Sequence, residues 1–527
     1  MKKERRQSFA HGAVILAAAG ILVKIIGACY KIPLGSVLGP VGMANFSIAY
    51  NIYALLFVLS TAGVPSAVAK MIAEAYVNGR KADMKRIYRC AMCVFVFIGA
   101  SGALFMFFCA DEIAAFMGSC DAASSVRAVA PAVLFVSVSS INRGYYQGCS
   151  DMYPTAISEV AEAFGKLIFG LFAALYLKRS GFGDSAVSSG AVAGVSAGAV
   201  MSATFLMLCR KRHKGNECSG SRYTDIMKRL FSLAVPITVG AAVISLTNVI
   251  DSALVMNLLI RGGHSAMRAK WLFGAYNYTT TVFNLPSALI TTLATAILPA
   301  VSGAVAKKDY IAADRAVNSA LSAAMMIAFP AAFGMAALSY GITDLLYGAG
   351  VEAECIAVSS AMLRYISAAV PALAAVTVTN SFHHALDSAN TPVISMLCGA
   401  AVKILSNIIL VSNPEINIYG APISTVLCYV TIAILNIAAL KRYPFVEVSI
   451  SKIIIKPMLS GMAVFFAARA AYNMMCRTIN GHISTVFAFL VGVFAFLVCC
   501  FCTGVFESDG LWAALKGKSI FKFLNND

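Results

Sequence analysis

The sequence predicts an all-α polytopic membrane protein: about 14 transmembrane helices, arranged as two parallel six-helix lobes followed by two further helices. Three observations predict it. Hydrophobic residues make up 59% of the chain and charged residues only 12%, against roughly 25% charged in a soluble domain, and the mean hydropathy is +0.79. Apolar windows of spanning length recur along the whole chain, with no long polar stretch from which to build a soluble domain. Short motifs return in the same order half a chain later.

A membrane helix needs about 20 apolar residues. Windows of that kind run over 10–33, 43–67, 90–110, 123–146, 155–177, 187–209 and 230–259. They continue over 272–301, 318–340, 356–380, 391–411, 418–440, 453–474 and 483–504. The second window is the most dilute, because Asn45, Asn51 and Ser60 interrupt it. The first carries Lys24 and, two turns later, Lys31, where Pro33 marks an expected helix end. The basic N-terminus leads into this segment without a small-residue cleavage site, so it reads as a retained first helix rather than a signal peptide.

The formal net charge of +17 reads as topology, not nucleic-acid binding, because the cations cluster in short loops. With the N-terminus inside, the inner segments hold Lys2, Lys3, Arg5 and Arg6; then Arg80 to Arg89; Arg210 to Lys214 with Arg222, Lys228 and Arg229; Lys307, Lys308 and Arg315; Lys441 and Arg442; and Lys516, Lys518 and Lys522. Both termini are then cytoplasmic. Lys178, Arg179, Arg261, Arg268 and Lys270 fall on the opposite side and run against the rule. The cysteines are scattered through apolar runs as small packing residues, with neither a disulfide framework nor zinc spacing.

The repeat pairs Val64-Pro65-Ser66-Ala67 with Leu285-Pro286-Ser287-Ala288, and Lys211-Arg212 with Lys441-Arg442. It also pairs Ile157-Ser158 and Lys166 with Ile394-Ser395 and Lys403 at identical spacing. The separation corresponds to six helices, an even number, so both copies have the same orientation, as in transporters built from parallel repeats. The expected organisation is a first lobe over 1–220, a second over 221–445, and two extra helices with a tail over 446–527.

Function in such a protein is sought at charges inside the membrane, each of which costs about 2.5–3.5 kcal/mol at a helix centre. The cations are Lys24, Lys31, Lys166, Arg364, Lys403 and Arg469; the acids are Glu159, Glu162 and Asp251. Glu162 precedes Lys166 by one turn, so the two are expected to pair, with Glu162 orienting the ammonium. Arg469 reads as a snorkelling residue. Lysines suit phosphate oxygens, so Lys24, Lys31, Lys166, Arg364 and Lys403 are the expected holders of an anionic headgroup such as a diphosphate. His383, His384 and Asp387, and the segment from Arg143 to Asp151, read as solvated loop residues. There is no nucleotide-binding loop and no nucleophile–base pair, so no enzyme is expected.

At this point the residues resemble a family. Lys24-Ile25-Ile26-Gly27, Tyr30-Lys31-Ile32-Pro33-Leu34 and Leu38-Gly39-Pro40-Val41-Gly42 carry the likeness, with Ala49-Tyr50-Asn51-Ile52-Tyr53, Leu59-Ser60-Thr61-Ala62-Gly63-Val64-Pro65, Asp251, Asn284-Leu285-Pro286-Ser287-Ala288-Leu289 and Leu298-Pro299-Ala300. They look like the polysaccharide-transport and stage V sporulation protein B group of the multidrug/oligosaccharidyl-lipid/polysaccharide exporter superfamily. The resemblance implies fourteen helices in two lobes and alternating-access flipping of lipid-linked oligosaccharide, most of all lipid II, across the cytoplasmic membrane. Lys24 and Lys31 take the places of first-helix basic residues in a cationic cavity. Other lipid II flippases carry arginines in the second and eighth helices; here the second span has none and the eighth has Thr280 and Thr281, so the contacts differ.

Some relatives bind sodium, and Asp251, Asn407 and Thr425 look like the counterparts of those ligands, but the second expected carboxylate falls at Val411. No metal or cofactor is therefore expected; coupling to Na+, to H+ or to the membrane potential alone stays open. The expected partners are a lipid-linked saccharide diphosphate, membrane lipids and cell-wall synthases, with no nucleic acid. The rival readings are a multidrug/cation antiporter of the same fold and a non-transporting membrane scaffold for cell-wall synthesis.

Overall fold

The computed structural model describes residues 9–209, 222–306, 309–386, 388, 390–440, 442–443, 451–477 and 480–502. The cations read at positions 2–6, 210–214, 307–308, 441 and 516–522, and Asp387, lie outside these residues, as do the two termini. Seventeen α-helices follow one another and no strand occurs among the described residues. They are α1 (Phe9–Thr61), α2 (Val64–Val77), α3 (Lys81–Phe108), α4 (Ala110–Phe116), α5 (Ala123–Gly148), α6 (Tyr153–Arg179), α7 (Asp184–Cys209), α8 (Tyr223–Arg261) and α9 (Ala266–Ala306). Then come α10 (Tyr310–Ala337), α11 (Ser339–Tyr347), α12 (Ala353–Ile366), α13 (Ala369–Ala385), α14 (Asn390–Val411), α15 (Gly420–Leu440), α16 (Lys456–Met475) and α17 (Gly481–Cys502).

Among the described residues 11 helices are long and apolar enough to cross a membrane, or 12 with α12 and α13 taken as one span bent by 50°. The first of these is a 64-residue run that holds more than one crossing, and the 41-residue α9 adds length for another. The chain is a multi-pass membrane protein of the all-α class. Its exterior is correspondingly apolar: Phe97, Phe105 and Phe108 on α3, Phe172 and Tyr176 on α6, and Phe494 and Phe501 on α17 are all exposed.

Element boundaries differ from the sequence reading in three places. The chain stays helical through Pro33 and changes direction only at Gly39, whose φ of 67° suits a residue without Cβ, so Lys31 does not sit at a helix end. The second span stops at Thr61, and Val64-Pro65 opens a new helix, with proline in the first turn where its missing N–H costs nothing. Of the polar residues that dilute that span, Asn45 and Ser60 are buried and Asn51 is half-buried. Asn45 accepts a hydrogen bond from Ser119 (2.9 Å) and Asn51 donates to Ser252 (2.7 Å).

Packing divides the chain into residues 1–277 and 278–527, whereas the repeat places the division near 220. The difference arises because α8 packs on α1, α2 and α3, with the Gly63 amide donating to Thr238 Oγ1 (3.2 Å). Within the first unit α7 packs on α5 and α6; within the second α15 packs on α13 and α14, the same pattern in the repeated helices.

Three of the five cations that run against the charge rule have local partners. Lys270 is buried and paired with Asp121, Lys178 donates to the Val37 carbonyl, and the Arg268 guanidinium lies 4.1 Å from the centre of the Trp271 ring.

The most extensive helix–helix contact in the first unit joins α6 to α7 across glycines. A Cβ at Gly198 would lie 2.5 Å from the Glu162 carbonyl oxygen, whereas one at Gly27 meets nothing within 4 Å. Gly198→Leu is expected to cost about 1–3 kcal/mol or more through overpacking, and Gly27→Leu to be nearly neutral. Thermal unfolding of the two purified variants in detergent checks the contrast.

Candidate functional site

In the first unit the second half of α1 carries an aromatic column. Phe46 stacks on Tyr50 with ring centres 5.7 Å apart, Tyr50 meets Tyr53 at 5.8 Å, and Tyr53 meets Phe57 at 5.7 Å. The column is anchored from the other side of the Gly39 bend: Tyr30 packs edge-on against Phe46, and its hydroxyl donates to the Ala191 carbonyl of α7 (2.8 Å). Next to Tyr30, the Lys31 ammonium sits 5.1 Å from the centre of the Tyr50 ring, across the Gly39 bend. A cation held against an aromatic face keeps its charge while losing part of its water. Lys166 and Glu162 of α6 also lie within electrostatic reach of Tyr50.

Beside the column stands a buried ion pair that the sequence reading missed. Arg143 was assigned to a solvated loop; it lies inside α5, with its side chain 12% exposed. Its guanidinium donates to Glu162 Oε2 at 2.8 Å and to Ser158 Oγ of the same helix at 3.0 Å. It also donates to Ser202 Oγ of α7 at 3.0 Å. Three helices are thereby clasped through one side chain, and Glu159 and Tyr53 lie within its electrostatic reach.

The expected pairing of Glu162 with Lys166 is corrected: Glu162 is taken by Arg143. The planar fork of Arg143 reaches across helices to satisfy the carboxylate and both hydroxyls. A lysine one turn along the same helix has no such geometry. Among the described residues Lys166 forms no ion pair. The signal in the sequence is that Arg143 falls inside the apolar window over 123–146.

The other expected site residues fall as follows. Lys24 is exposed on the first half of α1, beside Ile21, Leu22 and Ile25. Asp251 is buried on α8, next to the Ser252 that receives Asn51. These belong to the first unit. In the second unit Arg364 is exposed in the last turn of α12, at the bend into α13. Lys403 and Asn407 are buried on α14, and Thr425 is buried on α15, its hydroxyl donating to the Ala421 carbonyl (3.0 Å). Arg469 is exposed on α16 and donates to the Ala337 carbonyl (3.2 Å). His383 is a further correction: it is fully buried in α13 and not in a solvated loop, while its neighbour His384 is exposed.

The first unit thus offers a partly buried cluster in which Lys31 and Lys166 approach one tyrosine while the nearest carboxylate is already neutralised. Such an arrangement favours a bound anion over a bound cation.

Comparison with known proteins agrees with this architecture. The family model described as "Polysaccharide biosynthesis protein" matches residues 9–305. The uncharacterized membrane protein YabM of Bacillus subtilis (strain 168) is 24% identical, over 97% of this chain and 96% of its own length. The lipid II flippase MurJ of the same organism is 24% identical over 82% of each chain. Its stage V sporulation protein B is 23% identical over 85% of this chain and 86% of its own. Among solved structures, a lipid II flippase MurJ in an inward closed conformation superposes with a TM-score of 0.70 at 16% identity, covering 94% of this chain and 98% of that one. An inward-facing multidrug resistance MATE transporter of the MOP superfamily gives 0.65 at 15% identity, covering 82% and 96%. The expected resemblance to the stage V sporulation protein B group is met, and the relatives whose names state a function in transport are flippases and transporters, not enzymes.

Removing one partner of a buried ion pair leaves an uncompensated charge and costs about 3–5 kcal/mol. Arg143→Ala is therefore expected to destabilise the protein by about that amount, and Arg143→Ala with Glu162→Gln to recover much of it. Lys166→Ala, which strands no partner, is expected to stay within about 1 kcal/mol of the unaltered protein. Thermal unfolding of the four proteins in detergent distinguishes a clasp at Arg143 from one at Lys166.

Proposed function

The chain belongs to the polysaccharide biosynthesis protein family, and on that premise we propose that it is a flippase for lipid-linked oligosaccharide in the cytoplasmic membrane. Lipid II, the peptidoglycan precursor, is the substrate proposed first. The observation that carries this reading is the Lys31 ammonium against the Tyr50 ring, with Lys166 in electrostatic reach of the same tyrosine and the neighbouring Glu162 paired with Arg143. Lysine ammonium suits the oxygens of a diphosphate, and the same surplus of positive charge repels organic cations. Lys24, Arg364 and Lys403 are proposed as further cations for the headgroup over the transport cycle, and the lobes read from the repeat, 1–220 and 221–445, as the halves that alternate. In an inside-negative cell with both termini cytoplasmic, outward movement of a negative headgroup gains about 2.3 kcal/mol per charge per 100 mV. Asp251, Asn407 and Thr425 are proposed as coupling residues, and cell-wall synthases as partners.

A second reading, an antiporter for cationic drugs, draws on the fold likeness to a MATE transporter and on Glu159 and Asp251. Glu162, the carboxylate best placed for it, is occupied by Arg143.

The purified protein is expected to bind lipid II more tightly than an undecaprenyl-linked polysaccharide unit, measured side by side. Charge-assisted contacts contribute about 1.5–3 kcal/mol each, so Lys31→Ala and Lys166→Ala are each expected to weaken lipid II binding roughly ten- to hundredfold without loss of folded protein. Growth of a flippase-depleted cell tests Lys24→Ala and Lys403→Ala; full rescue by both removes those two residues from the site. Drug resistance on overexpression with unchanged cell-wall precursors favours the antiporter.

A further inference from the structure

The second unit holds a buried polar cluster that the transport reading leaves unused. His383 of α13 is fully buried, and its Nε2 lies 3.3 Å from the backbone carbonyl oxygen of Asn436 on α15. A carbonyl only accepts, so Nε2 carries the hydrogen and Nδ1 presents a lone pair. The Asn436 amide donates to Thr379 Oγ1 (3.0 Å) and to Asn380 Oδ1 (2.8 Å), tying the same two helices a second time. Two acceptors in this cluster have no hydrogen-bond partner among the described residues, His383 Nδ1 and Asn436 Oδ1. Buried polar atoms are rarely left so, and what both lack is a donor.

The internal repeat shows what the position does when it is only structural. His383 follows Tyr146 by the same spacing that separates Lys403 from Lys166, and Asn436 follows Leu206 by the spacing that separates Lys441 from Lys211. In the first unit the Tyr146 hydroxyl donates to the Leu206 carbonyl (3.5 Å), the same tether between the corresponding helices α5 and α7. A phenol ties the helices without titrating near neutral pH; an imidazole ties them and keeps a basic nitrogen besides.

From this we infer that His383 is a proton-binding site, taking H+ on Nδ1 while Nε2 keeps its bond to the Asn436 carbonyl, so that protonation is linked to the α13–α15 packing of the second unit. The step is a simple addition: bulk acid supplies the proton, the Nδ1 lone pair forms the N–H bond, and the imidazole becomes a cation with two donors. The charged and titratable groups on the elements packed against α13 are Asp314 and Arg315 on α10, Lys403 on α14, and Arg442 and Tyr443 after α15, with His384 on its own helix. Of these, His384 and Arg442 act on it electrostatically and the Tyr443 ring packs 6.3 Å away. A ligand that binds one arrangement of two helices better than another shifts the population between them. A proton at this place therefore couples pH to the conformation of the second unit. The coupling rests on the transport reading; the protonation itself does not.

The test uses the full chain with 15N-labelled histidine in liposomes, followed by solid-state NMR from pH 8 to 5, beside His383→Tyr, which copies the first repeat, and His383→Gln, which retains a donor for the Asn436 carbonyl. One imidazole signal that converts from the singly to the doubly protonated form, and is missing from both variants, is the expected result, together with loss in both variants of the pH dependence of lipid II transport over that range. A His383 signal that keeps its neutral form throughout, or a pH profile that His383→Tyr leaves unmoved, overturns the inference. Absence of lipid II transport by the unaltered protein at every pH counts against the flippase reading alone, and the NMR titration then decides the proton site.

Discussion

A charge placed inside a membrane protein has to be matched by something, and in the first unit that requirement is met by Arg143. Its guanidinium spends its donors on Glu162, Ser158 and Ser202, so one side chain fixes α5, α6 and α7 together. The clasp works only because α6 and α7 approach closely enough for Ser202 to share it, and that approach depends on Gly198 lying against the Glu162 backbone. Once Glu162 is satisfied across the helices, Lys166 is left without an ion-pair partner among the described residues, in reach of the same tyrosine that Lys31 covers. The cationic character of the site is a consequence of how the carboxylate is disposed of, more than of the number of lysines.

The repeated helices of the second unit answer the same demand differently. At the spacing that relates Lys166 to Lys403, Arg143 corresponds to Asn380 and Glu162 to Gly399. At the spacing that relates Lys211 to Lys441, Ser202 corresponds to Ile432. Gly399 packs directly on the Ile432 side chain, so a volume filled in the first unit by a charged clasp is filled here by hydrocarbon. Helix-to-helix polar contact passes instead to Asn436 with Thr379 and Asn380. Both the acid and its arginine are gone, yet the lysine stays. A lysine that served only to pair with Glu162 has no reason to persist at Lys403, which is why the repeat argues for a role shared by Lys166 and Lys403 beyond local pairing.

Much of the fold was legible because hydropathy reports directly on which segments leave water: the helical class, the approximate spans and the duplicated motifs all came from residue type and spacing alone. What the sequence concealed was tertiary. The i, i+4 pairing of Glu162 with Lys166 is the local inference, and Arg143, 19 residues before Glu162, wins through a geometry that only the packed helices supply. His383 and Arg143 read as loop residues because each stands near the end of an apolar window; the helices run on past both, to Ala385 and Gly148. Proline misled in both directions: Pro33 sits inside a continuing helix, whereas Pro65 starts one. Asn45 and Asn51 weaken the reading of the second span for the reason that makes them useful, since each is a polar side chain that bonds to another helix or loop.

The charge balance of the first-unit cluster gives the flippase reading a physical cycle. The cluster holds Lys31, Arg143 and Lys166 with Glu159 and Glu162, and the Arg143–Glu162 pair cancels within itself. The remaining cations exceed the one remaining acid, so the empty cluster holds positive charge that water or a counter-ion must screen. On the flippase reading, a diphosphate headgroup would bring anionic oxygens to the two remaining ammonium groups, and paired charges cost less to enclose than unpaired ones. On that reading, closure around substrate would be favoured over closure around an empty site, and release would restore the surplus that draws the next headgroup in. A cationic drug reverses every sign in this sequence: it adds to the surplus and makes the loaded cluster the harder one to close.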